Sequence, residues 1–314
     1  MIFTNLKKPY FKNLIILLIG ISIILFCVYR IGVNSVLEAF GNVKVHFVFC
    51  SVVSIFCWLG AGALNIKIMI RPLAKVHYKK IFNIYTNISM ASLVIPGQVG
   101  DALIVRFFKN MSIPFSQGIT IFAIDKFITL FWYSIFAIYG VYLAGVPIVT
   151  LCSQMIDGDL IIYVFLMMLF GFFSILYLVV FVFKNRVYNW LSLALEYAHK
   201  ANGAIVINII LTLVRVIVLG HAYWFMLKAF GIDPPIIHTV CFAVASGMVA
   251  YIPISFNGLG TVEATMMYLF HLIGIEPAPV LSAILTIRVF LIVIVCGSAT
   301  ISNLYQEDIY YREN

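Results

Sequence analysis

Seven ionisable residues lie within or beside apolar stretches of the chain: Asp101, Arg106, Asp125, Lys126, Arg215, Glu263 and Arg288. At the centre of a membrane helix each costs at least about 2.5–3.5 kcal/mol to insert, so each needs a partner or a function. Three acids against four bases leave one positive charge over. That balance suits a cavity that neutralises its own charges and keeps one base for an anionic group. Arginine is the better base for phosphate, because its planar fork donates two parallel hydrogen bonds. Arg288, in mid-helix and hard to explain by snorkelling, is the leading phosphate contact. Arg215 is expected to pair with an acid.

The remaining charges have structural readings beside the functional one. Asp101 follows Gly100, and Glu263 follows Gly260, at what look like helix starts, where a carboxylate caps the first turn and meets the dipole. Arg106 reads equally as an interface residue whose stem lies along lipid. Asp125 and Lys126 are adjacent, so on a helix they diverge by about 100° and cannot both serve one partner. One of them is expected to pair across helices.

Two interruptions must position these charges. Pro96-Gly97-Gln98-Val99-Gly100-Asp101 breaks one apolar tract, and Pro253 through Ser255, Asn257, Gly258 and Gly260 to Glu263 breaks another. Proline removes a helical N–H and glycine weakens helix. In hydrocarbon such backbone is tolerated only when it is buried in protein or lines a watery cavity. The free N–H groups of a half-helix are also an anion site, where Pro96, Gly97, Gly100, Pro253, Gly258 and Gly260 would let backbone approach a headgroup. Neither stretch fits a P-loop or a dinucleotide fingerprint, whose flanks are strand and helix.

The whole chain is consistent with a membrane setting. Apolar residues make up 63% and charged residues 10%, against about 45–50% and about 25% in a soluble domain; mean hydropathy is +1.09. The expected fold is an all-α polytopic membrane protein, one transmembrane domain over 1–314. Spans fall near 13–30, 46–66, 117–145, 159–183, 205–227 and 279–301. Two broken or re-entrant helical hairpins are expected at about 81–108 and 237–275. The net charge of +8 resides largely in short connections. There it marks cytoplasmic loops rather than a nucleic-acid surface, and places both termini inside a cell (cytoplasmic) membrane. With those loops inside, the first hairpin enters from the inner face and the second from the outer one. Helix, hairpin and helix then form an inverted repeat, the arrangement that points to a transporter-like site at the midplane. Six cysteines and six histidines show no ligand spacing, so neither metal nor cofactor is expected. The first apolar run lacks a small-residue cleavage site and reads as a retained helix.

At the two hinges the chain resembles the lysylphosphatidylglycerol synthase transmembrane (flippase) family. The first motif is Pro96-Gly97 with Gly100-Asp101 and Arg106, Asp standing where the family pattern has Glu. Asp125-Lys126 matches an acid–base pair that is more often Glu-Arg. Pro253, Ser255, Gly258-Leu259-Gly260 and Glu263, followed by Gly274 and Arg288, match the third and most specific motif. The likeness runs over nearly the whole chain. Substrate contacts are expected at Arg288, Glu263, Asp101, Arg106, Asp125, Lys126, Ser255 and Asn257, of which all but Asn257 fall on the family's motifs. The likeness also implies translocation of a phospholipid or polyprenyl-linked glycolipid. The chain stops at Asn314 without the soluble aminoacyl-transfer domain, so lipid aminoacylation is not implied, and no catalytic motif is present. An accessory or enzyme presenting a lipid carrier to a glycosyltransferase is one alternative. A proton-coupled small-solute transporter with a relay through Asp101, Asp125 and Glu263 is another. An oligomer is compatible with all three.

Overall fold

A computed structural model describes residues 7–109, 111, 113–145, 192, 195–252 and 255–313. Every regular element among them is helical: α1 Lys7–Ile31, α2 Val33–Glu38, α3 Val45–Ile70, α4 Tyr78–Val94, α5 Ile104–Lys109 and α6 Phe115–Leu143, then α7 Asn202–Ala229, α8 Ile236–Val249, α9 Thr261–Leu272 and α10 Pro277–Glu313. Short 3-10 turns cover Ala39–Asn42, Pro96–Leu103 and Phe256–Gly258. Proline stands just before or at the start of α6, α8 and α10 (Pro114, Pro235 and Pro277), where its missing N–H is not needed.

Four helices among the described residues are long and apolar enough to cross a membrane: Val45–Ile70, Phe115–Leu143, Asn202–Ala229 and Pro277–Leu304. A fifth crossing is available if Leu18–Ile31 and Val33–Gly41, bent by 93° at their junction, act as one. The six expected spans are therefore matched in part, and 159–183 lies outside the described residues. The last helix runs further than the expected 279–301, to Glu313.

Helices α3 and α7 run antiparallel through the middle of the molecule. Ser51 donates to the Ala222 carbonyl at 2.8 Å near one end, and Asn65 donates to Thr212 at 3.2 Å towards the other. Around this pair the packing is reciprocal. Helix α6 lies along α8, with Gly140 against Cys241 and the Tyr133 ring edge-on to Tyr251. Helix α10 lies along α4, where Asn83 and Asn87 both donate to Asn303, at 2.8 and 2.9 Å. Thus each long closing helix covers the first arm of the other hairpin. The largest core cluster, including Ile55, Leu59, Met226, Phe242, Phe270 and Ile287, is fully or almost fully buried.

Both tracts expected to break do so. In the first, α4 ends at Val94 and the 3-10 stretch Pro96–Leu103 leads into the six-residue α5. In the second, α8 and α9 flank Phe256–Gly258, and the edge-to-face rings of Phe242 and Phe270, 5.1 Å apart, hold the arms together. The two breaks pack against each other.

Helix α1 buttresses the second break through Gly260, whose φ is +82°. A Cβ there would lie 2.4 Å from the Gly20 carbonyl and 2.8 Å from Ile23 Cβ. Gly260→Ala should therefore destabilise the protein by roughly 1–3 kcal/mol, read as a lower melting temperature in detergent. Gly297→Ala, with open space around it, is the control and should melt no lower than the parent.

Candidate functional site

A cavity of about 200 Å³ lies between the two hairpins and the α3–α7 pair. It far exceeds the roughly 10–15 Å³ that one water requires. Charged groups of four elements face it: Asp101 from the first break, Asp125 and Lys126 from α6, Arg215 from α7 and Arg288 from α10. Aromatic side chains of Trp58, Tyr85, Tyr133, Tyr223 and Tyr251 form much of the remaining wall.

Two ion pairs stand on it. Lys126 donates to Asp101, whose other carboxylate oxygen accepts from Ser92 at 2.6 Å. Asp101 therefore ties the first break to α4 and α6 instead of capping a helix, as one sequence reading held. The second pair is Arg288 to Glu263, Nε to Oε1 at 2.7 Å. Glu263 is fully buried and does not line the cavity. Its other oxygen accepts from the Gly260 N–H at 2.7 Å, so capping and charge pairing coexist in one carboxylate. Arg288 also donates to the Asn257 carbonyl at 3.1 Å. Asn257 offers that oxygen from a left-handed backbone, φ 43°, which asparagine tolerates better than most residues. One Arg288 amine, Nη2, is buried without a partner.

Arg215 departs from the sequence expectation of an acid partner. No carboxylate among the described residues comes within ion-pair distance of it. Its guanidinium donates to the Tyr85 hydroxyl at 2.8 Å and lies 5.8 Å from the Tyr85 ring centre and 6.0 Å from Trp58. Ring faces attract a cation but do not cancel its charge. The Arg215 Nε–H is buried and has no partner among the described residues. Gly62 makes this arrangement sterically possible, since a Cβ there would lie 2.3 Å from the Tyr85 hydroxyl.

Asp125 is held by amides instead of a base. Its Oδ1 accepts from Asn65 at 3.0 Å and from Asn208 at 2.9 Å. The adjacent Asp125 and Lys126 do serve different partners, as their divergence on a helix requires.

Some expected contacts lie elsewhere. Arg106 is exposed on α5 and does not line the cavity, which fits an interface residue. With it removed, the site holds three acids and three bases, so the surplus positive charge expected from sequence is absent. Ser255 is buried 3.3 Å from Thr261 and away from the cavity. The glycines bring backbone close to protein, not to open space: a Cβ on Gly100 would lie 2.6 Å from Ser92 Cα, and one on Gly258 would lie 2.8 Å from the Ala250 Cβ. Pro96 and Gly97 belong to the 3-10 stretch, and Pro253 lies outside the described residues. No group of three or more His, Cys, Asp or Glu able to hold a metal occurs among the described residues.

Sequence reasoning passed over Asn65, Asn208, Thr212, Tyr85 and Gly62. An amide inside an apolar span was the available signal, because Asn65 and Asn208 fall within two of the expected crossings and only charges were counted there.

No curated protein matches the chain. The family model for the lysylphosphatidylglycerol synthase TM region matches residues 13–297, which takes in both breaks and every charge of the cavity. The chain belongs to the lysylphosphatidylglycerol synthase TM region family.

Proposed function

We propose that the protein translocates a phospholipid or lipid-linked glycan with an anionic headgroup across the cell membrane. The headgroup occupies the cavity between the hairpins while the acyl or isoprenoid chains stay in lipid. In this reading the chain crosses six times, carries two re-entrant hairpins in an inverted repeat, and has both termini in the cytoplasm. The observation that carries it is Arg215: a guanidinium facing a cavity with no carboxylate at ion-pair distance and one N–H unspent among the described residues. The unpartnered Arg288 amine on the same cavity adds a second donor for one phosphate. Two more features support a lipid over a water-soluble solute: membership of a family named for a lipid synthase, and the aromatic wall. A proton relay through Asp101, Asp125 and Glu263 is less well supported, since Asp101 and Glu263 are both held by bases.

The experiment is translocation of a fluorescent anionic phospholipid in proteoliposomes, read by chemical quenching of the outer leaflet. The protein should move the lipid at least tenfold faster than protein-free vesicles do. Equal rates would remove the proposal.

A further inference from the structure

Asp125 is the cavity acid without an ion-pair partner among the described residues, and the side chains that hold it are two amides, each of which carries an oxygen as well as the N–H it donates. Asn65 on α3 and Asn208 on α7 each donate an amide N–H to it, and the Thr212 hydroxyl on α7 bridges the two amides. Exposure is 6% for Asp125, 0% for both amides and 1% for Thr212. A second observation points to a missing ligand: Asn65 Oδ1 is buried with no hydrogen-bond partner among the described residues. A fully buried amide carbonyl is costly to leave unpaired. Turning the amide over would bring that oxygen beside the Asp125 carboxylate, which is favourable only with a positive charge between them. With both amides turned, the donors around the Asp125 carboxylate are oxygens, which suit a hard ion. One carboxylate balances one positive charge, which selects a monovalent ion.

The charge balance of the cavity supplies the link to transport. Asp101, Asp125 and Glu263 against Lys126, Arg215 and Arg288 sum to zero. A phosphodiester entering alone would leave a negative charge in a low-dielectric interior, where an unbalanced charge is expensive. A monovalent cation at Asp125 restores neutrality. We propose that Asp125, Asn65, Asn208 and Thr212 form a sodium site whose occupation accompanies entry of the anionic headgroup. Asp125 also faces the cavity, so water completes the ion's coordination from that side. The coupling rests on the lipid reading; the ion site does not.

The test is binding of radioactive sodium to the purified full-length chain in detergent, with choline replacing sodium at constant ionic strength. Saturable binding at one ion per chain is expected. Asp125→Asn should abolish it, and Asn65→Leu should weaken it at least tenfold while melting within a few degrees of the parent in choline. The absence of saturable binding in the parent protein overturns the site, as does binding that survives both substitutions. In proteoliposomes a sodium gradient should accelerate movement of the anionic lipid several-fold over a choline control. Rates indifferent to the gradient, with sodium still bound, overturn the coupling. Acceleration by a pH gradient in sodium-free buffer overturns the choice of ion. Sodium binding in a protein that moves no lipid contradicts the translocation reading and leaves the site standing.

Discussion

Replacing Arg215 by leucine should slow translocation of an anionic lipid ten- to a hundredfold and leave the fold intact. A hydrogen bond to a charged group contributes about 1.5–3 kcal/mol, which corresponds to that range. Among the described residues the side chain has a Tyr85 hydroxyl and two aromatic faces for company and no carboxylate at ion-pair distance. Its loss therefore breaks no direct ion pair, and leucine fills part of the same volume against Trp58 and Tyr85. Arg215→Lys should recover only part of the rate, because an ammonium keeps the charge but loses the planar fork. Arg106→Gln, on the exposed face of α5, should move lipid at the parent rate. Rates for Arg215→Leu and Arg106→Gln that fall together would show a general charge effect and not a site.

The opposite behaviour is expected at Glu263, where the effect is on stability. Glu263→Gln should cost about 3–5 kcal/mol, the usual result of removing one partner from a buried ion pair. Glu263 and Arg288 are 1% and 12% exposed at their side chains, so solvent cannot replace the lost charge. The cost has a second source: the carboxylate also caps α9 at Gly260, where it receives an N–H. The double variant Glu263→Gln/Arg288→Met should recover much of the loss, since the stranded guanidinium is then gone. Thermal melting of the single and double variants in detergent measures this. A double variant no more stable than Glu263→Gln would mean that the cap, and not the pair, dominates.

These two arginines show how far the sequence reached. Four of the expected spans and both breaks could be placed from apolar run lengths and Pro/Gly chemistry, because hydrocarbon thickness and the loss of helical N–H groups act locally. The charges that matter were found the same way. Their pairing was not, since it depends on which helices lie side by side. Arg215 and Arg288 are both mid-helix cations, and only the packing of α7 beside α3, with Tyr85 of α4 reaching across, and of α10 beside α9 gives one an aromatic cradle and the other a carboxylate. Arg106 illustrates the converse: a base near a hinge motif lies on the outer face of a two-turn helix. Of the hinge glycines, Gly100 and Gly258 answer to near neighbours in the chain, Ser92 and Ala250, whereas Gly260 meets Gly20, a neighbour no spacing rule reveals. Asn65 and Asn208 became meaningful only once α3 and α7 were seen to bring both to Asp125.

The central claim is that an anionic headgroup is held in the cavity at Arg215, and a structure in nanodiscs containing anionic lipid tests it most directly. The account expects density for a phosphate within hydrogen-bonding distance of the Arg215 guanidinium, with the lipid chains leaving the cavity between helices. A cavity holding only water, in a preparation that translocates the same lipid, would contradict it.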